Sequence, residues 1–437
     1  MTIDPTPLFS NARKAFQAWS MTAFEERCAI LRQYASALES AKQSLAETIA
    51  REIGKPLPES LGEVGAMIGK VEISIHAYEQ RCAEFTGGPS VTRFRPHGVL
   101  VVLGPYNFPG HLPNGHIVPA LLAGNTVIFK PSEYAPKTAE AMLAIWRETP
   151  LPKGALQLIQ GGPEVAKTLT AHPEVDGVLF TGSARTGKLL ARQFAETPGK
   201  VLALEMGGNN PLIVDTPNIA DLEQAAKTTV ESAFISAGQR CTCARRLIVI
   251  NSEKASDFFD TLVLQASGLS IGDPFADPPP FMGPLAHPTF AEAVLTAQAD
   301  LLKAGATPLL PAKALDLGKA YVSPGILEVT GLTNLPDEEV FGPLLQVIRV
   351  NGLDDAIRIA NQTRYGLASG ILTDSRDRYQ HAYQRLRAGI INWNAPLTGA
   401  SSAAPFGGIG DSGNLRPSAF FAADYCAYPV ASIERGE

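Results

Sequence analysis

Residues 98–103 read GVLVVL, a continuous apolar run that predicts a strand buried on both faces. Apolar runs and helical patterns alternate after it as far as residue 205. The predicted strands lie at 126–130, 156–160, 177–180 and 201–205, and the predicted helices at 116–123, 135–148, 163–171 and 186–194. This β-α-β order predicts a doubly wound parallel sheet, because right-handed crossovers bring the carboxyl ends of the strands to one edge. Ligands of such sheets bind beyond that edge.

The sequence on either side adds helices and a second α/β unit. Residues 8–52 and 58–84 show helical periodicity, and residues 90–95 alternate like an exposed strand. The second unit has predicted strands at 213–214, 246–250, 344–350 and 369–373, and predicted helices at 219–236, 253–268, 288–304 and 353–361. The tail, 425–433, predicts an extended strand with no evident partner in its own domain, a feature often used for subunit pairing. The glycine-rich residues 405–413 predict a turn or a close backbone approach.

These patterns give an α/β fold class with three parts. We predict a first domain, with the doubly wound parallel sheet, from residues 1–85, 98–206 and 401–420. A second α/β domain is predicted over 207–400, and a small β element from 86–97 and 421–437.

Composition excludes several classes of protein. A chain of 437 residues exceeds one ordinary core, and 45% hydrophobic with 18% charged residues is typical of a globular protein. The net charge of −6 provides no basic face for nucleic acid or anionic membranes. Five scattered cysteines show neither a disulfide framework nor a metal spacing, so we expect no metal and a reducing compartment. No signal peptide or membrane-spanning run is evident, and we expect a cytoplasmic protein.

Three residues at predicted strand ends or turns carry reactive groups. Cys241, in FISAGQRCTCARR (234–246), is a nucleophile if a nearby cation or amide cluster lowers its pKa, or else a buried structural thiol like its neighbour Cys243. Glu205, in LEMGGNNP, ends an apolar strand, where burial raises a carboxyl pKa towards that of a general base; a salt-bridged strand end is the alternative. Asn107, in GPYNFP, can donate to an oxyanion or can be an ordinary loop asparagine.

Other segments suit a nucleotide. The segment 181–188, TGSARTGK, fits a phosphate loop except that Leu189 follows it, where a hydroxyl should hold magnesium. A turn that opens a helix also presents free N–H groups to a pyrophosphate, although it can equally be a simple helix cap. FKPSE (129–133) can bond ribose hydroxyls or form a solvated strand end. Glu339 and Phe341, in DEEVFGPLL, can hold a sugar and flank a flat ring, or form a charged turn.

Together and in this order, the segments resemble the aldehyde dehydrogenase superfamily from about residue 10 to the end. The matching motifs are PYNFP, FKPSE, FTGS, LEMGGNNP, GQRC and EEVFGP. Longer stretches, including GQRCTCARR, NWNAPLTGA and PFGGIGDSGNLRPSAFFAADYC, look like the N-succinylglutamate 5-semialdehyde dehydrogenases of arginine catabolism. The resemblance implies that the first domain binds NAD, that the second is catalytic, and that the β element mediates formation of a homodimer or homotetramer.

The resemblance also implies a role for each candidate residue. Cys241 attacks the aldehyde, Asn107 and the Cys241 N–H stabilise the oxyanion, hydride passes to NAD, and Glu205 activates the water that hydrolyses the thioester. Glu205 argues against the coenzyme A-acylating branch of the family. The implied cofactor-binding residues are Lys130, Ser132, Glu133, Gly182, Ser183, Ala184, Arg185, Thr186, Gly187, Glu339 and Phe341.

Glu133 would crowd a 2′-phosphate, so the resemblance implies NAD rather than NADP. The implied substrate is a dianion, and its candidate cations are His111, Arg240 and Arg416. The alternative functions are oxidation of another carboxylated semialdehyde, such as succinate or glutamate semialdehyde, and a catalytically silent member of the family.

Overall fold

A computed structural model describes residues 4–333 and 335–434 of the chain as an α/β protein. Its helices are α1 Thr6–Trp19, α2 Phe24–Ser40, α3 Lys42–Ile53, α4 Leu57–Arg81, α5 His111–Leu122, α6 Pro136–Trp146, α7 Pro163–Thr170, α8 Ala184–Phe194, α9 Leu222–Phe234, α10 Ala255–Ser267, α11 Pro288–Lys303, α12 Leu353–Ala360, α13 Arg376–Tyr383 and α14 Ala422–Cys426. Its strands are β1 Phe85–Gly87, β2 Ser90–Pro96, β3 Val99–Leu103, β4 Thr126–Lys130, β5 Leu156–Leu158, β6 Gly177–Gly182, β7 Val201–Met206, β8 Asn210–Val214, β9 Ala244–Ile250, β10 Thr307–Leu310, β11 Gly325–Glu328, β12 Leu344–Val350, β13 Ala368–Leu372, β14 Ile390–Trp393, β15 Pro405–Phe406, β16 Ser418–Ala419 and β17 Ala427–Ile433.

The predicted doubly wound sheet is confirmed. Its five strands follow the order β5-β4-β3-β6-β7, and every neighbouring pair is parallel. Every residue of β3 is buried, as its uninterrupted apolar sequence predicts. Strand order reverses between β3 and β6, which is where ligands bind to sheets of this kind.

The second α/β unit is also confirmed, with a larger sheet than the sequence predicts. The order is β10-β11-β12-β9-β8-β13-β14, and only β10 at one edge pairs antiparallel to its neighbour. The sequence analysis missed β10, β11 and β14, because these four-residue strands are too short for a clear alternating pattern.

The single helical region predicted over 8–52 is wrong in detail, because the structure divides it into α1, α2 and α3. The backbone turns out of helical geometry at Ala23, whose ψ is 146°. This break lets α1 pack on one face of the five-stranded sheet while α2 to α4 pack on the other. The Trp19 indole N–H, donating to the Leu121 carbonyl at 3.0 Å, fixes the end of α1 against α5.

The C-terminal tail pairs with residues 90–96, in the segment with which the sequence analysis groups it as a small β element. All seven residues of β17 pair antiparallel with β2, and β1 completes this three-stranded sheet. The first two residues of the predicted strand, Tyr425 and Cys426, instead end the short helix α14. Residues 435–437 of the predicted β element lie outside the described residues.

The glycine-rich loop at 405–413 packs against the end of β7. Gly413 forms an antiparallel bridge with Glu205, and the adjacent Asn414 side chain bonds the backbone of Leu202 and Leu204. This loop therefore closes over the sheet edge at the carboxylate singled out from the sequence. Among the described helices, none combines the length and apolar character needed to cross a bilayer.

Candidate active site

A cleft of about 1040 Å³ opens at the carboxyl edge of the five-stranded sheet. Its walls come from the ends of β3, β4, β6 and β7, from α7, α8 and α11, and from segments of the second unit. Eleven of the residues named from the sequence line it: Asn107, Lys130, Ser132, Glu133, Gly182, Ser183, Thr186, Glu205, Cys241, Glu339 and Phe341. Folding therefore brings these scattered segments to one site.

Cys241 lies on a tightly folded loop between α9 and β9. Ser236 and Ala237 have φ of 55° and 53°, in the left-handed region that L-residues rarely adopt. Gly238 follows with φ of 71°, and a Cβ there would lie 2.3 Å from the Gly342 carbonyl oxygen. The loop is thus held in an unusual conformation against the segment that carries Phe341.

Two amides that the sequence analysis did not identify brace this loop. The Asn210 side chain donates to the carbonyls of Cys241 at 2.7 Å and Cys243 at 2.8 Å, and accepts from the Ala368 N–H at 3.1 Å. The Gln239 side chain accepts from the Ala286 N–H at 3.0 Å. A polar residue at the start of an apolar strand, as Asn210 is in NNPLIV, is the signal that points to it.

The environment of the Cys241 thiol differs from the sequence expectation of a lowered pKa. Burial, followed by the charges of Glu339 and Glu205, raises the pKa of Cys241, while Arg245 opposes this rise. Cys243 is fully buried, with its sulfur directed to the Ile235 carbonyl. Of the two cysteines, only Cys241 lines the cleft.

Asn107 is placed to present an amide hydrogen near the thiol. The residue is buried, and its Nδ2 donates to the Gln239 carbonyl at 2.9 Å. An amide nitrogen has two hydrogens, so one remains for a ligand in the cleft. Because Gln239 belongs to the Cys241 loop, this bond also ties the β3 end to that loop.

Glu205 is a buried carboxyl with one engaged oxygen. Oε2 accepts from the Thr181 hydroxyl at 3.3 Å, whereas Oε1 is buried without a hydrogen bond from any described residue. Burial raises the pKa of Glu205 to about 7, and Ser418, Lys70 and Thr181 limit the rise. At neutral pH, a carboxyl with this pKa is divided between its two protonation states, as suits a general base.

The cofactor side of the cleft fits a dinucleotide. Beyond the end of β4, the Lys130 ammonium lies 3.5 Å from Glu133. These two side chains present a donor and an acceptor to a ribose. Ser183 caps α8 by accepting from the Thr186 N–H at 3.3 Å, so the helix start faces the cleft with its dipole suited to a pyrophosphate. Ala184, Arg185 and Gly187 lie on α8 outside the cleft lining, and Gly187 instead permits close packing, since a Cβ there would lie 2.1 Å from Met206 Sδ.

Glu339 lies directly against the backbone of the β7–β8 turn. A Cβ at Gly207 would lie 1.8 Å from Glu339 Oε2, so only glycine permits this approach. Burial raises the pKa of Glu339 to about 7, and its Oε1 is buried without a hydrogen bond from the described residues. An acceptor of this kind fits a ribose hydroxyl. Arg245, which the sequence analysis did not identify as a site residue, lies 3.7 Å from Glu339 and donates to the carbonyls of Gly342 and Arg240.

The three candidate substrate cations occupy different surroundings, and none is in the cleft lining. Arg240 adjoins Cys241 and pairs with Glu59 at 2.9 Å, while its Nε donates to the Ser236 hydroxyl. His111 begins α5, and burial lowers its pKa to about 4. Arg416 is exposed in the loop that follows residue 413.

Comparison with known proteins gives consistent matches along the chain. Residues 6–426 match the family described as the aldehyde dehydrogenase family. The N-succinylglutamate 5-semialdehyde dehydrogenase of Serratia proteamaculans (strain 568) is 56% identical over 427 residues, covering 97% of this chain and 87% of that relative.

Two solved structures show the same fold. The γ-glutamyl-γ-aminobutyraldehyde dehydrogenase of Burkholderia cenocepacia J2315 is 30% identical, with a TM-score of 0.92 over 98% of this chain and 88% of that one. A variant of aldehyde dehydrogenase C from Pseudomonas syringae, in complex with NAD+ and octanal, is 28% identical, with a TM-score of 0.92 over the same shares.

Proposed function

Because the chain belongs to the aldehyde dehydrogenase family, we propose that it oxidises N-succinyl-L-glutamate 5-semialdehyde to N-succinyl-L-glutamate with NAD, as a step of arginine catabolism. The substrate is inferred from the 56% identity to the Serratia relative, which bears that name. The chemistry is inferred from one observation: Cys241, Glu205 and Asn107 line the same cleft as the residues that fit a dinucleotide.

Acylation begins with the thiolate of Cys241, formed when the thiol gives its proton to water. The sulfur bonds to the aldehyde carbon, and the carbonyl oxygen becomes an oxyanion that accepts from the free hydrogen of the Asn107 amide and from the Cys241 N–H. NAD, which Lys130, Glu133 and the start of α8 would hold, would supply the acceptor for the hydride of that carbon. Cys241 then carries the acyl group as a thioester.

Hydrolysis of the thioester depends on Glu205. The carboxylate takes a proton from water as the water oxygen bonds to the thioester carbon, and the carbon–sulfur bond then breaks. We propose a hydrolytic rather than a coenzyme A-acylating enzyme because Glu205 lines the same cleft as the thiol and its pKa of about 7 suits this transfer. In Glu205→Gln we expect a burst of NADH without steady-state turnover.

Arg240 is the candidate with the best support as a substrate-binding cation. It precedes the nucleophile, and its guanidinium is held by Glu59 and Ser236 through Nη2 and Nε. Nη1 makes no hydrogen bond to any residue that the structure describes, which leaves a donor for a substrate carboxylate. His111, whose Nδ1 is buried and whose pKa is low, is poorly suited to hold an anion.

The chain is also proposed to act as a homodimer or homotetramer in the cytoplasm. β17 is an edge strand of the three-stranded sheet and offers unpaired backbone groups to a second copy. A nucleophilic cysteine among free thiols is suited to a reducing compartment. Light scattering of the purified protein tests the oligomeric state.

A screen of NADH formation across semialdehydes tests the substrate. N-succinyl-L-glutamate 5-semialdehyde is expected to give the highest kcat/KM, followed by glutamate and succinate semialdehydes, which lack one of the recognition groups. Arg240→Met is expected to raise KM for the succinylated substrate while leaving KM for an uncharged aldehyde unaltered. Highest kcat/KM with succinate semialdehyde would instead identify a different physiological substrate.

A further inference from the structure

Glu205 is the end of a buried chain of hydrogen bonds that the steps above do not require. The Thr181 hydroxyl donates to Glu205 Oε2 at 3.3 Å. His116 Nε2 lies 3.0 Å from that hydroxyl, and its Nδ1 lies 2.9 Å from the Tyr425 hydroxyl. All four side chains are buried, and they join β6, β7, α5 and α14 behind the cleft.

The direction of these bonds follows from the available hydrogens. A threonine hydroxyl has one hydrogen, and Thr181 uses it for Glu205, so its oxygen accepts from His116 Nε2–H. Burial lowers the pKa of His116 to about 3, so the imidazole is neutral and Nδ1 must accept from the Tyr425 hydroxyl. Each donor therefore points towards the carboxylate, an arrangement in which successive hydrogen bonds polarise one another.

The two oxygens of Glu205 are consequently inequivalent. Oε2 receives the chain, whereas Oε1 is buried and makes no hydrogen bond to the residues that the structure describes. The Lys70 ammonium of α4, which donates to the Ala419 carbonyl at 2.6 Å, and the hydroxyl and N–H of Ser418 also lower the Glu205 pKa. Oε1 makes no hydrogen bond with Ser418. The thiol of Cys241 lines the same cleft and interacts electrostatically with the carboxylate.

We infer that Thr181, His116 and Tyr425 are positioning residues that hold Glu205 by Oε2, so that Oε1 takes the proton of the hydrolytic water. In this step an O–H bond of water breaks, its proton bonds to Oε1, and its oxygen bonds to the thioester carbon. The carbon–sulfur bond then breaks and leaves the acid and the Cys241 thiolate. The inference rests on the proposed function, because it assigns a support to the proposed base.

The test compares Thr181→Val, which removes the donor with little change of shape, with Thr181→Ser, which retains a hydroxyl. Stopped-flow measurement of NADH separates the burst, which reports acylation, from the steady state, which reports hydrolysis. In Thr181→Val we expect a full burst and a steady-state rate about 10- to 100-fold lower, as for loss of a hydrogen bond to a charged group. Losing the Thr181 donor also destabilises the Glu205 carboxylate and raises its pKa, so the acid limb of the kcat profile moves to higher pH. Thr181→Ser should restore both the steady-state rate and the position of the acid limb.

Tyr425→Phe provides an independent test, because Tyr425 does not line the cleft. It removes the terminal donor of the chain, and we expect the acid limb to move in the same direction by a smaller amount. A residue with only a packing role would lower the unfolding temperature without moving the limb. An unmoved limb in both Thr181→Val and Tyr425→Phe overturns the inference. Absence of an aldehyde-dependent burst in the unaltered enzyme would instead refute the proposed function.

Discussion

Asn210→Ala is the sharpest test of how the second unit holds the proposed nucleophile, Cys241. The Asn210 side chain makes three hydrogen bonds: it donates to the carbonyls of Cys241 and Cys243 and accepts from the N–H of Ala368, and only the bond to Cys241 is partly exposed. Truncation to alanine removes all three at once, while the Cys241 side chain itself is untouched. The two consequences to measure are the stability of the fold and the rate of acylation.

The magnitudes follow from these contacts. A buried backbone group left without its partner costs about 1–3 kcal/mol, so the two buried groups predict a loss of at least about 2 kcal/mol in the free energy of unfolding. In the unaltered protein the loop holds Ser236 and Ala237 in the strained left-handed region. In Asn210→Ala the loop lacks the amide that opposes its relaxation to a different backbone conformation. A displacement of the sulfur by about 1 Å lowers a reaction rate on the order of 100-fold, and this is the expected effect on the NADH burst rate.

Stopped-flow fluorescence of NADH and urea unfolding provide the two measurements. Asn218→Ala is the matched control, because its side chain makes a single 3.2 Å bond to Asp215 on the turn after β8. We expect the control to leave the burst rate within about twofold and to cost about 1 kcal/mol. If Asn210→Ala lowers the stability as calculated and yet acylates at the normal rate, Asn210 supports the fold but does not position the thiol.

Three further predictions concern the groups of the cleft. Lys70→Met removes a cation that lowers the Glu205 pKa, so that pKa should rise above about 7. The acid limb of the kcat profile should then move to higher pH. Lys14→Met, at an exposed position, is the control and should leave the acid limb in place. Cys241→Ala should abolish aldehyde-dependent NADH formation while calorimetric NAD binding persists; retained turnover would exclude Cys241 as the nucleophile. Glu133→Ser should increase kcat/KM with NADP about tenfold relative to NAD, since a crowding carboxylate is removed; an unchanged ratio would place cofactor discrimination elsewhere.

Much of the fold could be predicted because the decisive elements are locally patterned. The buried strands β3, β4, β6 and β7 are continuous apolar runs, and each of the first three is followed by a turn and a helical pattern. The parallel order places the residues after each strand at one edge of the sheet. Asn107, Lys130, Ser183 and Glu205 could therefore be grouped before any distance was known.

The ionisation of Cys241 could not be predicted in this way. The sequence places two arginines shortly after the cysteine, which suggests a lowered pKa, but Arg245 faces both the thiol and Glu339. The carboxylates that disfavour the thiolate, Glu205 and Glu339, lie 36 positions earlier and 98 positions later in the chain, and together with burial they raise the pKa of Cys241. Local sequence reveals which charges adjoin a residue in the chain, whereas the pKa depends on those that adjoin it in space.

The apolar face of helix α4 carries charged residues whose meaning could have been read from the sequence. The helical pattern over 58–84 predicts Met67, Val71, Ile73, Ile75 and Tyr78 as core; the structure buries Met67, Val71 and Ile75 and leaves Ile73 and Tyr78 partly exposed. The same buried side also carries Glu63 and Lys70. A charged residue on the apolar face of an amphipathic helix is rarely buried without a partner, so each of these positions predicts a buried opposite charge or a polar backbone group.

The charged side chains of α4 interact with three parts of the proposed active site. Glu59 holds Arg240 beside the nucleophile. One turn later, Glu63 pairs with Lys55 and accepts from the N–H groups of Gly110 and His111, which fixes the turn after Asn107. Two turns further, Lys70 acts on Glu205. Positions 59, 63 and 70 share a helical face because their spacing of four and seven residues matches the turn of an α-helix. One helix from outside the alternating β-α-β pattern thus supports the proposed substrate-binding cation, the turn after the proposed oxyanion donor and the proposed base. This explains why charged residues remain on a surface that packing alone would make apolar.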